Sequence, residues 1–92
     1  MTSSKTIVVF RRWKTPNGQG EILALFPEID AGGGLCSSYE HVGQHGAASY
    51  SACIVLTVPA LPTQYKALRH ELERLGYKLV VHRRRPAKRR PL

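Results

Sequence analysis

One segment has the pattern of an amphipathic helix, and it constrains the fold more than any other feature of the sequence. It runs from Pro62, a residue suited to the first turn of a helix, to Gly76, which suits the position just past a helix end. Its apolar face consists of Tyr65, Leu68, Leu72 and Leu75, and its solvent face of Lys66, Arg69, Glu73 and Arg74. Because one helix cannot cover both faces of a sheet, we predict an α+β fold: a small antiparallel β-sheet with this helix packed on one face.

The remaining apolar segments have the composition of strands. Residues 6–13, 21–26, 35–42, 51–58 and 77–82 are rich in apolar, β-branched or aromatic residues and are separated by turn signals, which predicts the order β-β-β-β-α-β. The near-continuous apolar run of 21–26 indicates a central strand that is buried on both faces and ends at Pro27. In the last strand we expect Tyr77, Leu79 and Val81 to point inward. Residues 31–34, Ala-Gly-Gly-Gly, are interpreted as a flexible linker.

The length of 92 residues fits one domain, which we place at residues 6–82, between a disordered N-terminus (1–5) and a disordered basic tail (83–92). No apolar run approaches the length of a membrane span, and the N-terminus lacks a signal-peptide pattern. With only two cysteines, Cys36 and Cys53, free thiols in a reducing compartment are expected. We therefore predict a cytoplasmic protein that does not bind membranes.

The positive charge is concentrated at the C-terminal end. Of 14 lysines and arginines, six lie in the last ten residues, which contain no acidic residue, so the tail supplies +6 of the net charge of +8. These six are Arg83, Arg84, Arg85, Lys88, Arg89 and Arg90. A basic block interrupted by Pro86 and Pro91 is typical of a solvated or interaction tail, and its chemistry predicts electrostatic binding to nucleic acid or a nucleoprotein. The alternative is a solubilising end with no dedicated partner.

The centre of the chain is unusually polar. Residues 37–50 contain two of the four histidines and two of the four tyrosines, together with hydroxyl and amide side chains. We interpret this segment as a structured loop, turned at Gly43 and Gly46, that satisfies backbone groups or contacts a protein partner. The candidate partner-binding residues are Tyr39, Glu40, His41, Gln44 and His45.

Two chemical alternatives use the same segment. Cys36, His41, His45 and Cys53 form a C-x4-H-x3-H-x7-C series of possible zinc ligands, but this is not a standard zinc spacing. Cys36 or Ser38 could act as a nucleophile beside a histidine and Glu40, although such partners usually come from distant segments. We expect neither, and we predict no enzymatic activity, no cofactor and no metal site.

Three sequence pieces together resemble a family of small proteins from bacterial genomes, phages and mobile elements. They are Phe-Pro-Glu-Ile from residue 26, Cys-x-Ser-Tyr-x-His-Val-Gly-Gln-His-Gly from residue 36, and Leu-x-x-Glu-Leu-Glu-x-x-Gly-Tyr-x-Leu from residue 68. The resemblance covers residues 6 to about 82, and the basic tail departs from it. It implies an accessory gene product that blocks a host defence complex or binds its nucleic acid, and it identifies no catalytic residue.

We accordingly predict a small non-enzymatic binding protein, a phage or mobile-element accessory, that engages nucleic acid or a nucleoprotein through its basic tail. The first alternative is a protein-binding inhibitor of a host complex, and the second a small zinc-binding domain.

Overall fold

The computed structural model describes residues 5–14, 21–40 and 44–83. The strands are β1 (Thr6–Trp13), β2 (Ile22–Gly32), β3 (Leu35–Glu40), β4 (Gln44–Ala48), β5 (Thr57–Pro59) and β6 (Leu79–His82), and the helices are α1 (Tyr50–Leu56) and α2 (Pro62–Arg74). The predicted α+β class is confirmed, and among the described strands the sheet is antiparallel as predicted except for one parallel pair, β1 with β6. The predicted N-terminus and tail lie outside the described residues, apart from Lys5 and Arg83.

The sheet has the strand order β4-β3-β2-β1-β5, and neighbours along it are antiparallel. The sixth strand, β6, pairs with β1 in parallel along Thr6 to Val9, whereas β5 pairs with Arg11 to Trp13. Strand β2 pairs with one side of β1. Both β5 and β6 pair with the opposite side of β1, one after the other along its length. Their meeting point lies beside Phe10.

Each face of the sheet carries one helix, whereas the sequence predicts a single helix on one face. Leu68 and Leu72 of α2 pack on the face formed by Phe10, Phe26 and Tyr39, among others. The opposite face includes Val9, Leu23 and Leu25 and is covered by Cys53 of α1. As predicted, β2 is central, since residues 23–26 are all buried and alternate between the two faces.

The predicted strand at 51–58 is wrong for residues 51–56, which form α1; only Thr57–Pro59 is a strand. The helix begins after Ser49, whose Oγ accepts a hydrogen bond from the backbone N–H of Ala52 at 3.4 Å. Tyr50, Cys53 and Ile54 fall on one helical face and pack on the sheet. This packing outweighs the strand preference of the local sequence. The structure also has one strand, β4, within the segment predicted as a loop.

The β2–β3 connection is a hairpin rather than a flexible linker. Strand β2 does not end at Pro27; residues 27–29 interrupt the register, and pairing resumes at Asp30 and Gly32. Gly33 and Gly34, with φ of 60° and 78°, form a two-residue turn that requires positive φ at both positions. The glycines therefore serve a tight turn.

The predicted helix α2 is confirmed. Pro62 is in its first turn, the backbone N–H of Leu61 donates to Oε1 of Gln64 at 2.8 Å, and Gly76 follows its end with φ of 105°. Leu75 differs from the prediction because its side chain is 56% exposed rather than buried. No helix in the described part of the chain is long and apolar enough to cross a membrane.

Candidate functional site

Strand β6 leads directly into the basic tail. Arg83 follows its last residue and is exposed. Of the six predicted nucleic-acid-binding residues, Arg83 alone lies within the described residues, and Arg84, Arg85, Lys88, Arg89 and Arg90 lie outside them. The structure therefore places the start of the tail at the edge of the sheet where β5 and β6 meet.

A cleft of about 240 Å³ lies at that point. We call it the β5–β6 cleft. Its walls come from Phe10 of β1, Pro59 of β5, residues 60–62 of the connection to α2, Tyr65 of α2, and Val81, His82 and Arg83 at the end of β6. The walls are mainly apolar and aromatic, and His82 and Arg83 contribute an imidazole and a guanidinium group to them.

The cleft follows from how β1 is paired. The backbone N–H of Ala60 donates to the carbonyl of Phe10 at 3.2 Å, after which the chain turns away into α2. Prolines at 59 and 62 flank this turn and cannot donate backbone hydrogen bonds, which suits the end of a strand and the start of a helix. Phe10 is 4% exposed, so one wall of the cleft is part of the core.

A second, more open concavity continues from the cleft along α2. We call it the α2 groove; its volume is about 360 Å³. It is lined by Pro62, Tyr65, Lys66, Arg69, His70 and Glu73. Pro62 and Tyr65 line both concavities, so the cleft and the groove form one surface with Tyr65 at its middle.

The charge on this surface is predominantly positive. Lys66, Arg69 and Arg83 supply three permanent cations, and Glu73 is the acidic residue among the described lining residues. Arg69 Nε lies 3.4 Å from a carboxylate oxygen of Glu73, an exposed i,i+4 pair. The first turn of α2, all of whose residues are described, carries no acidic side chain to offset the positive end of the helix dipole.

The residues of the polar centre lie on opposite faces of the sheet. Tyr39 is buried on the α2 side, where its hydroxyl donates to a carboxylate oxygen of Glu71. His45, in β4, contacts the Tyr39 ring edge-on at 4.6 Å, and its Nε2 lies 3.0 Å from the hydroxyl of Tyr77. Together these residues tie β3, β4 and α2 to the segment that precedes β6.

Glu40 belongs to the other face, where it accepts a hydrogen bond from Nε1 of Trp13 at 3.2 Å. Gln44 is paired with Glu40 in the β3–β4 ladder, and His41 lies outside the described residues. The structure therefore brings Tyr39 and His45 together but separates Glu40 from them across the sheet.

His45 lies apart from the other possible metal and nucleophile residues that the structure describes. Cys36 of β3 and Cys53 of α1 are buried on the α1 side of the sheet, whereas His45 is on the α2 side. Within residues 5–14, 21–40 and 44–83, no three His, Cys, Asp or Glu residues are grouped so that they could hold a metal ion. Burial raises the pKa of the Cys53 thiol, and the nearby Glu40 carboxylate raises it further, which disfavours the reactive thiolate.

Arg11 is a structural residue that the sequence did not reveal. Its buried guanidinium donates to the carbonyls of Ile54 and Thr57 at 3.1 and 2.8 Å and to Oγ1 of Thr57 at 2.8 Å, at the C-terminal end of α1. Burial lowers the pKa of Arg11. Its partners lie more than 40 positions away in the chain, so no local pattern could have indicated them.

The sequence pattern indicates Tyr65 only as a member of the apolar helix face. The structure places it half-buried between two concavities next to Arg83, which is 18 positions away in the sequence. The sequence feature that marks this part of the surface is the Pro-Ala-Leu-Pro stretch at 59–62, because it indicates a sharp turn before the helix. That signal does not indicate that β6 lies beside the turn.

No family model matches this chain, and no curated protein or solved structure was found that is significantly similar to it.

Proposed function

We propose that this protein is a small non-enzymatic binding protein that engages nucleic acid or a nucleoprotein through its basic C-terminal tail. The observation that carries the proposal is the position of Arg83, exposed at the end of β6 and on the wall of the β5–β6 cleft. The tail thus begins at a surface that already presents Lys66 and Arg69 beside an aromatic ring. Basic grooves with exposed aromatic rings are typical of proteins that bind nucleic-acid strands.

The distribution of charge supports the same function. The tail contributes +6, whereas residues 1–82 together contribute +2, so attraction to phosphate depends mainly on the tail. Phosphate contacts hold a protein on nucleic acid without reading its sequence. The tail therefore provides affinity, and any discrimination between strands comes from the folded domain.

The test compares the full chain with a variant that ends at His82, using labelled single-stranded and duplex DNA across a series of salt concentrations. Each lost phosphate contact reduces the slope of log K against log salt by roughly 0.7 to 0.9. We expect truncation to weaken binding and to reduce this slope by several units. Unchanged affinity and unchanged slope would refute the proposal.

The open edge of β4 favours a second candidate function, inhibition of a host protein complex. Among the described strands, β4 hydrogen-bonds to β3 alone, so a partner strand could add to its other edge. The resemblance to phage and mobile-element proteins fits such an accessory role. Capture from a nuclease-treated host lysate should then return one stoichiometric protein, and recovery of none would argue against this candidate.

A further inference from the structure

The aromatic pair at the β5–β6 cleft leaves part of the Tyr65 ring accessible. Tyr65 stacks on Phe10 with the two planes only 11° apart, so Phe10 covers one face of the ring. The ring nevertheless remains half-buried and lines both the cleft and the α2 groove. Tyr65 is therefore held in a fixed orientation while part of it faces open space.

The size of the cleft limits what it can hold. At about 240 Å³ it is smaller than the sites of roughly 300–1,000 Å³ that enclose drug-sized ligands. It has room for one small ring system and is too small for a base pair within a duplex. Its apolar walls suit the flat faces of such a ring.

Cations lie on both sides of the ring site. Arg83 is on the cleft wall where the tail begins, and Lys66 and Arg69 line the groove on the other side of Tyr65. Glu73 lines the groove as well and lies 3.4 Å from Arg69, so Lys66 is the cation there without a carboxylate beside it among the described contacts. A nucleic-acid strand has the matching arrangement, because every base is flanked by two phosphates. The charge complementarity thus favours a nucleotide chain over an uncharged ring compound.

We propose that the β5–β6 cleft binds one unpaired base of a single-stranded nucleic acid, with the flanking phosphates on Arg83 and on the Lys66–Arg69 side. This inference rests on the proposed function and adds a preference for single strands over duplexes. A base in a duplex is stacked between its neighbours and cannot enter the cleft without being extruded, which costs free energy.

The test uses two exposed leucines on opposite ends of α2. Leu61 is 60% exposed and lines the cleft; Leu75 is 56% exposed and is not among the described residues that line the cleft or the groove. Leu61→Glu and Leu75→Glu change the net charge equally and disturb no buried side chain. Each variant and the parent are titrated with labelled oligothymidylate, oligouridylate and a duplex, each about 20 nucleotides long, which exceeds the site of one small domain.

We expect the parent to prefer at least one of the two single strands over the duplex by about tenfold, the effect of stacking one base. Leu61→Glu should abolish most of this preference, whereas Leu75→Glu should retain it. Equal binding of single strands and duplex, reduced equally by both variants, would overturn the base site and leave the proposed function standing. Absence of binding to all three probes at moderate salt would overturn both.

Discussion

The ring of Tyr65 stacks on the ring of Phe10, with 4.3 Å between their centroids and 11° between their planes. Phe10 belongs to the buried core, whereas Tyr65 lines the cleft beside the start of the basic tail. The pair therefore connects the stability of the domain to the surface that we assign to nucleic acid. A change at Tyr65 should affect both properties, and the two effects can be separated by the choice of substitution.

Tyr65→Phe should retain binding and stability, because the ring and its stacking remain. Tyr65→Ala should lower the free energy of unfolding by about 1–3 kcal/mol, less than for a fully buried aromatic residue. It should also weaken single-strand binding about tenfold at a temperature where the variant is folded. Urea unfolding and fluorescence titration measure the two effects. Equal single-strand affinity of the Phe and Ala variants would contradict a stacking role.

Arg11 and Arg12 are adjacent arginines with opposite expected contributions to stability. Arg11→Met removes three hydrogen bonds and leaves the carbonyls at the end of α1 unpaired, so it should cost about 2–4 kcal/mol. In the described structure, Nε of Arg12 is buried without a hydrogen-bond partner, so Arg12→Met should be neutral or slightly stabilising. Urea denaturation of both variants tests this difference, and similar losses would contradict the assigned role of Arg11.

Tyr39 and Tyr77 allow a matched comparison at the polar centre. The Tyr39 ring is buried and its hydroxyl is bonded to Glu71, whereas the hydroxyl of Tyr77 contacts the exposed His45. Tyr39→Phe should therefore destabilise the domain by about 1–2 kcal/mol, and Tyr77→Phe by less than about 0.5 kcal/mol. Thermal unfolding compares them. A loss for Tyr39→Phe no larger than that for Tyr77→Phe would contradict a role of the Tyr39 hydroxyl in holding α2 on the sheet.

Cys53 should make the domain less stable at alkaline pH. Burial raises the pKa of its thiol above the ordinary value of 9.0, so the unfolded chain releases this proton at a lower pH than the folded domain does. The contribution of this thiol to the free energy of unfolding is complete at pH values below its ordinary pKa. It is lost as the pH rises through the pKa of the thiol in the folded domain. Urea unfolding under reducing conditions from about pH 7 to pH 10 should show a steeper decline for the parent than for Cys53→Ala. Parallel declines would contradict the raised pKa.

The parts of the fold that the sequence predicts are those set by local patterns. Pro62, the spacing of Leu68 and Leu72, and Gly76 mark α2 within a single stretch of chain. The strand prediction at residues 51–56 fails for one local and one non-local reason. The apolar Ile-Val-Leu run favours a strand, but a cap at Ser49 and the distant Arg11 side chain complete a short helix.

The candidate site was predictable only in part for a similar reason. The basic tail is a compositional feature, and the sequence displays it directly. The cleft exists because β5 and β6 occupy the same side of β1, which brings Tyr65 next to His82 and Arg83. The polar centre looked like one surface in the sequence, but strand alternation places Tyr39 and Glu40 on opposite faces of the sheet.

Binding of a nucleic-acid strand at the β5–β6 cleft is tested most directly by an NMR titration of the isotope-labelled full chain with oligothymidylate, followed at the backbone amides and at the Tyr65 ring. We predict chemical-shift changes throughout the basic tail, and within the folded domain the largest changes at Tyr65, His82 and Arg83, with smaller changes at Lys66 and Arg69 and none at β4. Changes confined to β4 and the polar centre, or none at saturating oligonucleotide, would contradict binding of nucleic acid at this surface.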